Sequence, residues 1–320
     1  MGRYNHLTIF ERESILLEYN QGKPIREIAR ILNRNPATIS RELKRNTCKR
    51  KHYSAVLAQS QYRQRRKNCV RPCVLDQPSI YDKVVELLNR YWSPEQINSR
   101  LKLENSHIQI GSATIYRGLA SGKLAAPLRQ KLRHKGQRHK DFLGCGHLPV
   151  SHSIHERPEE ANNRSRIGDW ECDTVRGAKD SGCVATLVDR MSRYTLLAKL
   201  PNRTATEYTQ AAIEVFKRIP STCVLTLTCD HGKEFAKHKK LAKELDCTVY
   251  FADPGCPGQR GTNENTNGLI RQFMPKRTSF RAISQNDVDA FADLLNFRPR
   301  KCLNWNTPQE IFFHQVLHLT

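Results

Sequence analysis

Three acidic residues frame the chemistry open to this chain: Asp173, Asp230 and, 34 positions beyond the latter, Glu264. Asp230 ends an apolar, strand-like run, Val224-Leu225-Thr226-Leu227-Thr228-Cys229. Glu264 lies within Gly261-Thr262-Asn263-Glu264-Asn265-Thr266-Asn267-Gly268, where a helix is expected to begin. Carboxylates gathered from separate elements make an all-oxygen site for hard divalent cations such as Mg2+. Two such ions about 3.5–4 Å apart clamp the attacking and leaving oxygens of a phosphodiester. In a chain of 320 residues and net charge +22, that points to an enzyme that cuts and rejoins DNA.

Elements must bring these acids together. On a strand, Asp169, Glu171 and Asp173 share one face, because successive side chains alternate. Spacing does not decide which of them meets metal, and a charged, solvent-facing edge strand has the same pattern. Asp230-His231-Gly232 also suits an ordinary turn, and Glu264 suits a helix N-terminus through the macrodipole. Their joint placement favours the metal site. Short β-like runs at 170–176, 183–189 and 194–200 predict an antiparallel meander. A helix over 204–218, a strand over 223–229, a helix near 234–245 and a strand over 248–252 follow. Further helices are expected at 263–273, at 284–295 and after the capping box Thr307-Pro308-Gln309-Glu310. The expectation is an α/β mixed sheet of the ribonuclease-H-like, integrase type.

Charge divides the chain. Residues 1–150 carry 29 Lys+Arg against 11 Asp+Glu, whereas residues 151–320 carry 24 against 20. The first part is therefore expected to bind a polyanion and the second to be a balanced globular domain. Thr8-Ile9-Phe10-Glu11 is a capping box, Pro24 suits the first turn of a second helix, and Asn35 caps a third. Two helices joined by the short turn Asn33-Arg34-Asn35 predict an all-α helix-turn-helix region whose second helix enters the major groove. Thr38, Ser40 and Arg41 are expected at base edges and Lys44 and Arg45 at phosphates, with Ile39 and Leu43 inward. A basic helix over 53–67 follows, either a phosphate-facing arm or a solvated linker. Ser93-Pro94-Glu95-Gln96 opens another helix, and residues 112–117 predict a second recognition helix presenting Thr114 and Arg117. The expected domains are 1–68 and 75–124 (helix-turn-helix and helix-turn-helix-like), a basic linker at 125–160, and the catalytic domain at 161–320. Lys233 and Arg260 flank the acidic site as candidate phosphate contacts; Arg271 and Lys276 extend that track or are solvated.

The 11 cysteines form no repeating framework, which suits reduced thiols in a cytoplasmic protein. Cys145, His147, His152 and His155 lack paired ligand spacing and are expected to be linker side chains rather than a zinc site. No apolar stretch approaches the roughly 20 residues that span a bilayer.

Many short segments in one order then carry a resemblance over nearly the whole chain. They include Arg34-Asn35-Pro36-Ala37-Thr38-Ile39-Ser40-Arg41-Glu42, Trp92-Ser93-Pro94-Glu95-Gln96-Ile97 and Thr114-Ile115-Tyr116-Arg117. Others are Arg164-Ser165-Arg166-Ile167-Gly168, Trp170-Glu171-x-Asp173-Thr174-Val175 and Asp230-x-Gly232-Lys233-Glu234-Phe235. The strongest runs from Gln259 to Gln272, and Arg298-Pro299-Arg300-Lys301 and Trp305-x-Thr307-Pro308 close the set. The chain resembles insertion-sequence transposases of the IS-thirty family. The resemblance implies a DDE recombinase with Asp173, Asp230 and Glu264 as metal-binding triad, and two Mg2+ ions for which Mn2+ substitutes. It assigns Asp173 rather than Glu171 or Asp169 to the triad. It also implies binding to terminal inverted repeats, cleavage there, joining to target double-stranded DNA, and homo-oligomers on DNA in a bacterial, nucleoid-associated setting. Cys172, His231 and Gly258 depart from the residues usual in that family.

Overall fold

Thr8 and Glu11 exchange hydrogen bonds across the first turn of α1 (Ile9–Asn20), the reciprocal cap foreseen from their spacing. Helices α2 (Ile25–Ile31) and α3 (Pro36–Asn46) follow, the latter capped by the Asn35 side chain with Pro36 in its first turn. Helix α4 (Ala55–Asn68) folds back on α1 and buries Ala55 and Ala58. Ile15, Ile28, Ile39 and Leu43 make the common core. The computed structural model describes residues 5–47, 52–69, 72–133 and 152–319, and these divide into two units, Met1–Cys73 and Val74–Thr320. The basic helix expected as arm or linker is thus part of the first unit's core.

The second unit opens with α5 (Pro78–Asn89), α6 (Pro94–Leu103), α7 (Ser112–Ala120) and α8 (Ala126–Gln130). A short helix α9 (Glu159–Asn163) then leads into the sheet. The segment expected as a separate domain at 75–124 falls in the same unit as residues 161–320. Among the contacts that join them is a buried cation: Arg100 of α6 forks onto both carboxylate oxygens of Glu310 at 2.6 and 2.7 Å and reaches Glu104 at 2.5 Å. A guanidinium that is 1 % exposed needs such partners wherever it sits.

Strands β1 (Asp169–Arg176), β2 (Cys183–Asp189), β3 (Thr195–Leu200), β4 (Thr226–Cys229) and β5 (Thr248–Phe251) form one sheet in the order β3-β2-β1-β4-β5. The first three are antiparallel; β4 and β5 join parallel. One face carries Trp170, Cys172, Leu187 and Leu227 against α10 (Ala205–Phe216) and α11 (His238–Leu245). The other carries Val175, Val184 and Leu197 against α12 (Gly261–Ile270) and α13 (Gln285–Asn296). Helix α14 (Pro308–Phe313) adds Phe312 beside Trp170. The expected strands and helices recur with small shifts. The helix expected near 234–245 starts later, as α11, after a tight turn, Lys233–Phe235, that buries Glu234 and Phe235. Among the described residues, no helix is long and apolar enough to cross a membrane.

Candidate active site and nucleic-acid interface

Strand pairing sets the first two acids side by side. The parallel register couples Asp169 with Thr226 and Glu171 with Thr228, so two residues further Asp173 stands level with Asp230. Adjacent strands lie about 4.8 Å apart, close enough for a carboxylate within β1 and one just past the end of β4 to share one cation. Alternation sends Cys172 into the opposite core, as its neighbour position requires.

The cation present between them is Arg260. Its guanidinium donates to Asp230 Oδ2 at 3.1 Å and to the Cys172 carbonyl at 3.0 Å, and lies 3.7 Å from Asp173 Oδ2. Arg260, expected as a candidate phosphate contact beside the acidic site, faces the carboxylates with its side chain 13 % exposed. Each aspartate is also oriented by its surroundings. The Thr174 amide donates to Asp173 Oδ1 at 2.7 Å, Asn267 Nδ2 donates to Asp173 Oδ2 at 2.9 Å, and the Gly232 amide donates to Asp230 Oδ1 at 2.9 Å. Burial, reinforced by the charges of Asp230 and Glu234 and opposed by Arg260, pushes the Asp173 carboxyl above its ordinary value. Such a group seeks a cation.

A further acid in this neighbourhood was not singled out for a role. Glu234 is 1 % exposed, accepts from Arg203 Nε at 2.6 Å and from the Thr174 hydroxyl at 3.0 Å, and has an Oε2 without a hydrogen-bond partner among the described residues. A Cβ at Gly232 would stand 2.5 Å from that oxygen and 2.8 Å from Asp230 Oδ1, so any larger residue there would push the two carboxylates aside. The signal lay within the quoted run Asp230-x-Gly232-Lys233-Glu234-Phe235. What sequence could not give was the partner, Arg203, which follows β3.

Glu264 occupies the first turn of α12 and is exposed. Its helix is fastened to β1 by its neighbours. The Asn263 amide donates to Glu171 Oε2 at 2.8 Å, and Asn267 reaches Asp173. Residues three apart on a helix have Cβ atoms about 5–6 Å apart, so Glu264 stands beside the residue that holds Asp173. Among the described residues, no three His, Cys, Asp or Glu side chains meet closely enough to hold a metal ion. The two aspartates are together; Glu264 is at hand but turned outward. Glu171 and Asp169 are structural: Glu171 pairs with buried Arg190, and Asp169 pairs with Arg166 at 3.0 Å and accepts from Thr226 at 2.7 Å.

In the first unit, α3 exposes Ser40, Arg41, Lys44 and Arg45, with Thr38 half-buried and Ile39 and Leu43 inward. Thr38, Arg41 and Arg45 line a cleft of about 600 Å³ with Arg65 and Arg66 of α4. Glu42 on the same helix turns inward to Arg12 at 2.7 Å and holds α3 on α1. On α7, Arg117 is exposed, and it donates to the half-buried Thr114 hydroxyl at 3.3 Å. Lys233 is exposed. Arg271 spends one guanidinium nitrogen on the carbonyls of Arg176 and Met274. His152 pairs with Glu156 and His155 with Asp253, each at 2.9 Å, while Cys145 and His147 lie outside the described residues.

Comparison with known proteins adds two family models, a helix-turn-helix domain matching residues 3–46 and an integrase core domain matching residues 164–257. The second spans Asp173 and Asp230 and stops short of Glu264. The chain is 41 % identical over 320 residues to the transposase InsI for insertion sequence element IS30A of Escherichia coli K12, covering 96 % of this chain and 83 % of that protein. It is 38 % identical to the transposase for IS1086 of Cupriavidus metallidurans, covering 97 % and 94 %. For the transposase of IS4351 from Bacteroides fragilis the identity is 34 %, covering 96 % and 95 %.

Proposed function

From the premise that the chain belongs to the IS30 family of insertion-sequence transposases, we propose that Asp173, Asp230 and Glu264 together form its catalytic, metal-binding triad. The chain is a DNA transposase, a polynucleotidyl transferase of the integrase-core type with divalent-metal dependence. The observation that carries the proposal is Arg260 lodged against both aspartates. A guanidinium there stands in for a divalent cation, and the donor set, all carboxylate oxygen, suits Mg2+ or Mn2+.

The chain's own residues divide the work. The Thr174 amide and Asn267 fix Asp173, and the Gly232 amide fixes Asp230, so neither carboxylate has to reorganise on loading. Glu264, exposed in the first turn of α12, would supply the third carboxylate. Bound divalent cations, two in number, would supply activation of the attacking oxygen and stabilisation of the leaving one. Arg260, relieved of the aspartates, takes a phosphate oxygen. Water attacks a phosphodiester at the element end and frees a 3′-hydroxyl, which attacks a phosphodiester of the target. Neither step forms a covalent bond to protein. Thr38, Ser40, Arg41, Lys44 and Arg45, with Thr114, Arg117 and Lys233, contact double-stranded DNA, reading the terminal inverted repeats or holding the backbone. Two ends must be held at once, so the protein acts as a homo-oligomer on DNA.

The test is cleavage and strand transfer on duplexes carrying the element's ends, with Mg2+ and with Mn2+. Nicked and joined products must appear, and each of D173N, D230N and E264Q must abolish both. Binding without cutting would instead make the protein a DNA-binding regulator; nicks without joined products would make it a simple nuclease.

A further inference from the structure

Away from the acidic pair, one cavity collects cations without anions. It has a volume of about 240 Å³ and lies at the N-terminal end of α12, lined by Arg164, Arg193 and Arg300 and by Thr262, Asn265 and Thr266. None of the lining residues is acidic. Arg300 belongs to Arg298-Pro299-Arg300-Lys301, a segment of the sequence to which the catalytic scheme gives no task.

The three arginines are not there to satisfy one another. Arg300 is 8 % exposed, donates through one nitrogen to the Leu295 carbonyl at 3.2 Å, and keeps a buried Nε with no partner among the described residues. Burial, with the charges of Arg133 and Arg193 adding to it, lowers its guanidinium to about 10. Arg193 donates to the Thr262 hydroxyl at 2.6 Å. The Arg164 side chain, exposed at the rim, makes no hydrogen bond or ion pair among the described residues, and partial burial together with Arg193 and Arg190 lowers its guanidinium as well. Buried cations are normally paired, and an orphaned donor of this kind calls for an acceptor. The amides at the start of α12 face the same way for charge, since a helix N-terminus favours an anion.

We infer that Arg164, Arg193 and Arg300 form a seat for one phosphodiester of the DNA backbone, against the first turns of the helix that carries Glu264. The inference rests on the proposal that this unit works on DNA, and it deepens it. A phosphate held by the first turn of α12 fixes the strand relative to that helix, so substrate would arrive already aligned with the acid. The forked geometry of arginine matches phosphate oxygens in a way that a lysine cluster would not.

The test is equilibrium binding of full-length protein to a duplex of unrelated sequence, in chelator, across a range of salt. Chelation removes cleavage, so failure of the triad leaves the measurement intact. The double variant R164Q/R193Q, at the rim, should reduce the salt slope by about 0.9, the value for one phosphate no longer neutralised. In parallel, inorganic phosphate at matched ionic strength should raise the unfolding midpoint of the parent protein and not of the double variant. If the variant itself unfolds earlier without phosphate, R164Q alone decides, because Arg164 holds nothing else. An unchanged salt slope overturns the inference. It does so even where inorganic phosphate protects, since the cavity then takes free anions and not DNA. A reduced slope in a protein that never cuts DNA upholds the seat and sinks the triad.

Discussion

Replacing Glu171 by glutamine isolates one charge at the centre of the second unit. The carboxylate is fully buried, pairs with Arg190 at 5 % exposure, and accepts the Asn263 amide at 2.8 Å. Glutamine keeps an acceptor for that amide and removes only the charge. Arg190 retains the Ala161 carbonyl at 2.8 Å but loses its counter-ion. Arg157 stands in the same field; burial, with Arg190 adding to it and Glu171 opposing, lowers its guanidinium to about 10. Two buried cations would then share that field with one anion fewer. Removing one partner of such a pair costs about 3–5 kcal/mol, roughly two to four powers of ten in the folded-to-unfolded ratio. With an m-value of about 3 kcal/mol/M in urea, the midpoint should fall by about 1–1.7 M. All three tryptophans, Trp92, Trp170 and Trp305, lie in residues 74–320, so tryptophan fluorescence follows this unit without the other. The double variant E171Q/R190M removes both charges and should be more stable than E171Q alone, because the uncompensated cation is gone. A loss below about 1 kcal/mol in E171Q, or a double variant worse than the single one, refutes the reasoning.

D173N, D230N and E264Q should each lower metal-dependent cleavage about a thousandfold or more, the scale of several kcal/mol of transition-state stabilisation; single-turnover assays check this. Because burial raises the Asp173 carboxyl, its contribution to metal-free stability is complete below the unfolded value near 3.8 and is lost as pH rises through the raised folded value. D173N should remove that decline, which denaturation between pH 4 and 8 would reveal. In the first unit, R41A should cost about 1–3 kcal/mol of sequence discrimination, while K44A should weaken binding evenly and lower the salt slope by about 1. Competition titrations with mutated end sequences separate the two. Breaking the Arg12–Glu42 pair with E42Q should unfold that unit before any contact is tested, at a cost of about 3–5 kcal/mol, visible as loss of helical circular dichroism.

Local rules carried the sequence a long way. Caps at Thr8, Asn35, Ser93 and Thr307 all close as their spacing demands, since each needs only residues within one turn. Alternation placed Asp169, Glu171 and Asp173 on one face without saying which would be satisfied by arginine. That answer depends on Arg166 and Arg190, whose approach is a product of the assembled sheet. The same holds for Arg260, legible as a basic group near the acidic site but not as one lodged against both aspartates. Glu234 had a recognisable neighbourhood but no visible partner, because Arg203 reaches it from a different crossing of the sheet. The junction of α6 with α14 through Arg100 and Glu310 was equally hidden, being a pairing across most of the unit.

The alignment of Asp173 with Asp230 is a property of two hydrogen-bonded strands rather than of the chain that joins them. The excursion through β2, β3 and α10 could gain or lose residues at its turns and the two oxygens would keep their spacing. A single residue added inside β1 between Glu171 and Asp173 would instead swing Asp173 into the hydrophobic layer and bring its neighbour forward. Drift in length should therefore be tolerated at the turns and forbidden along those few rungs.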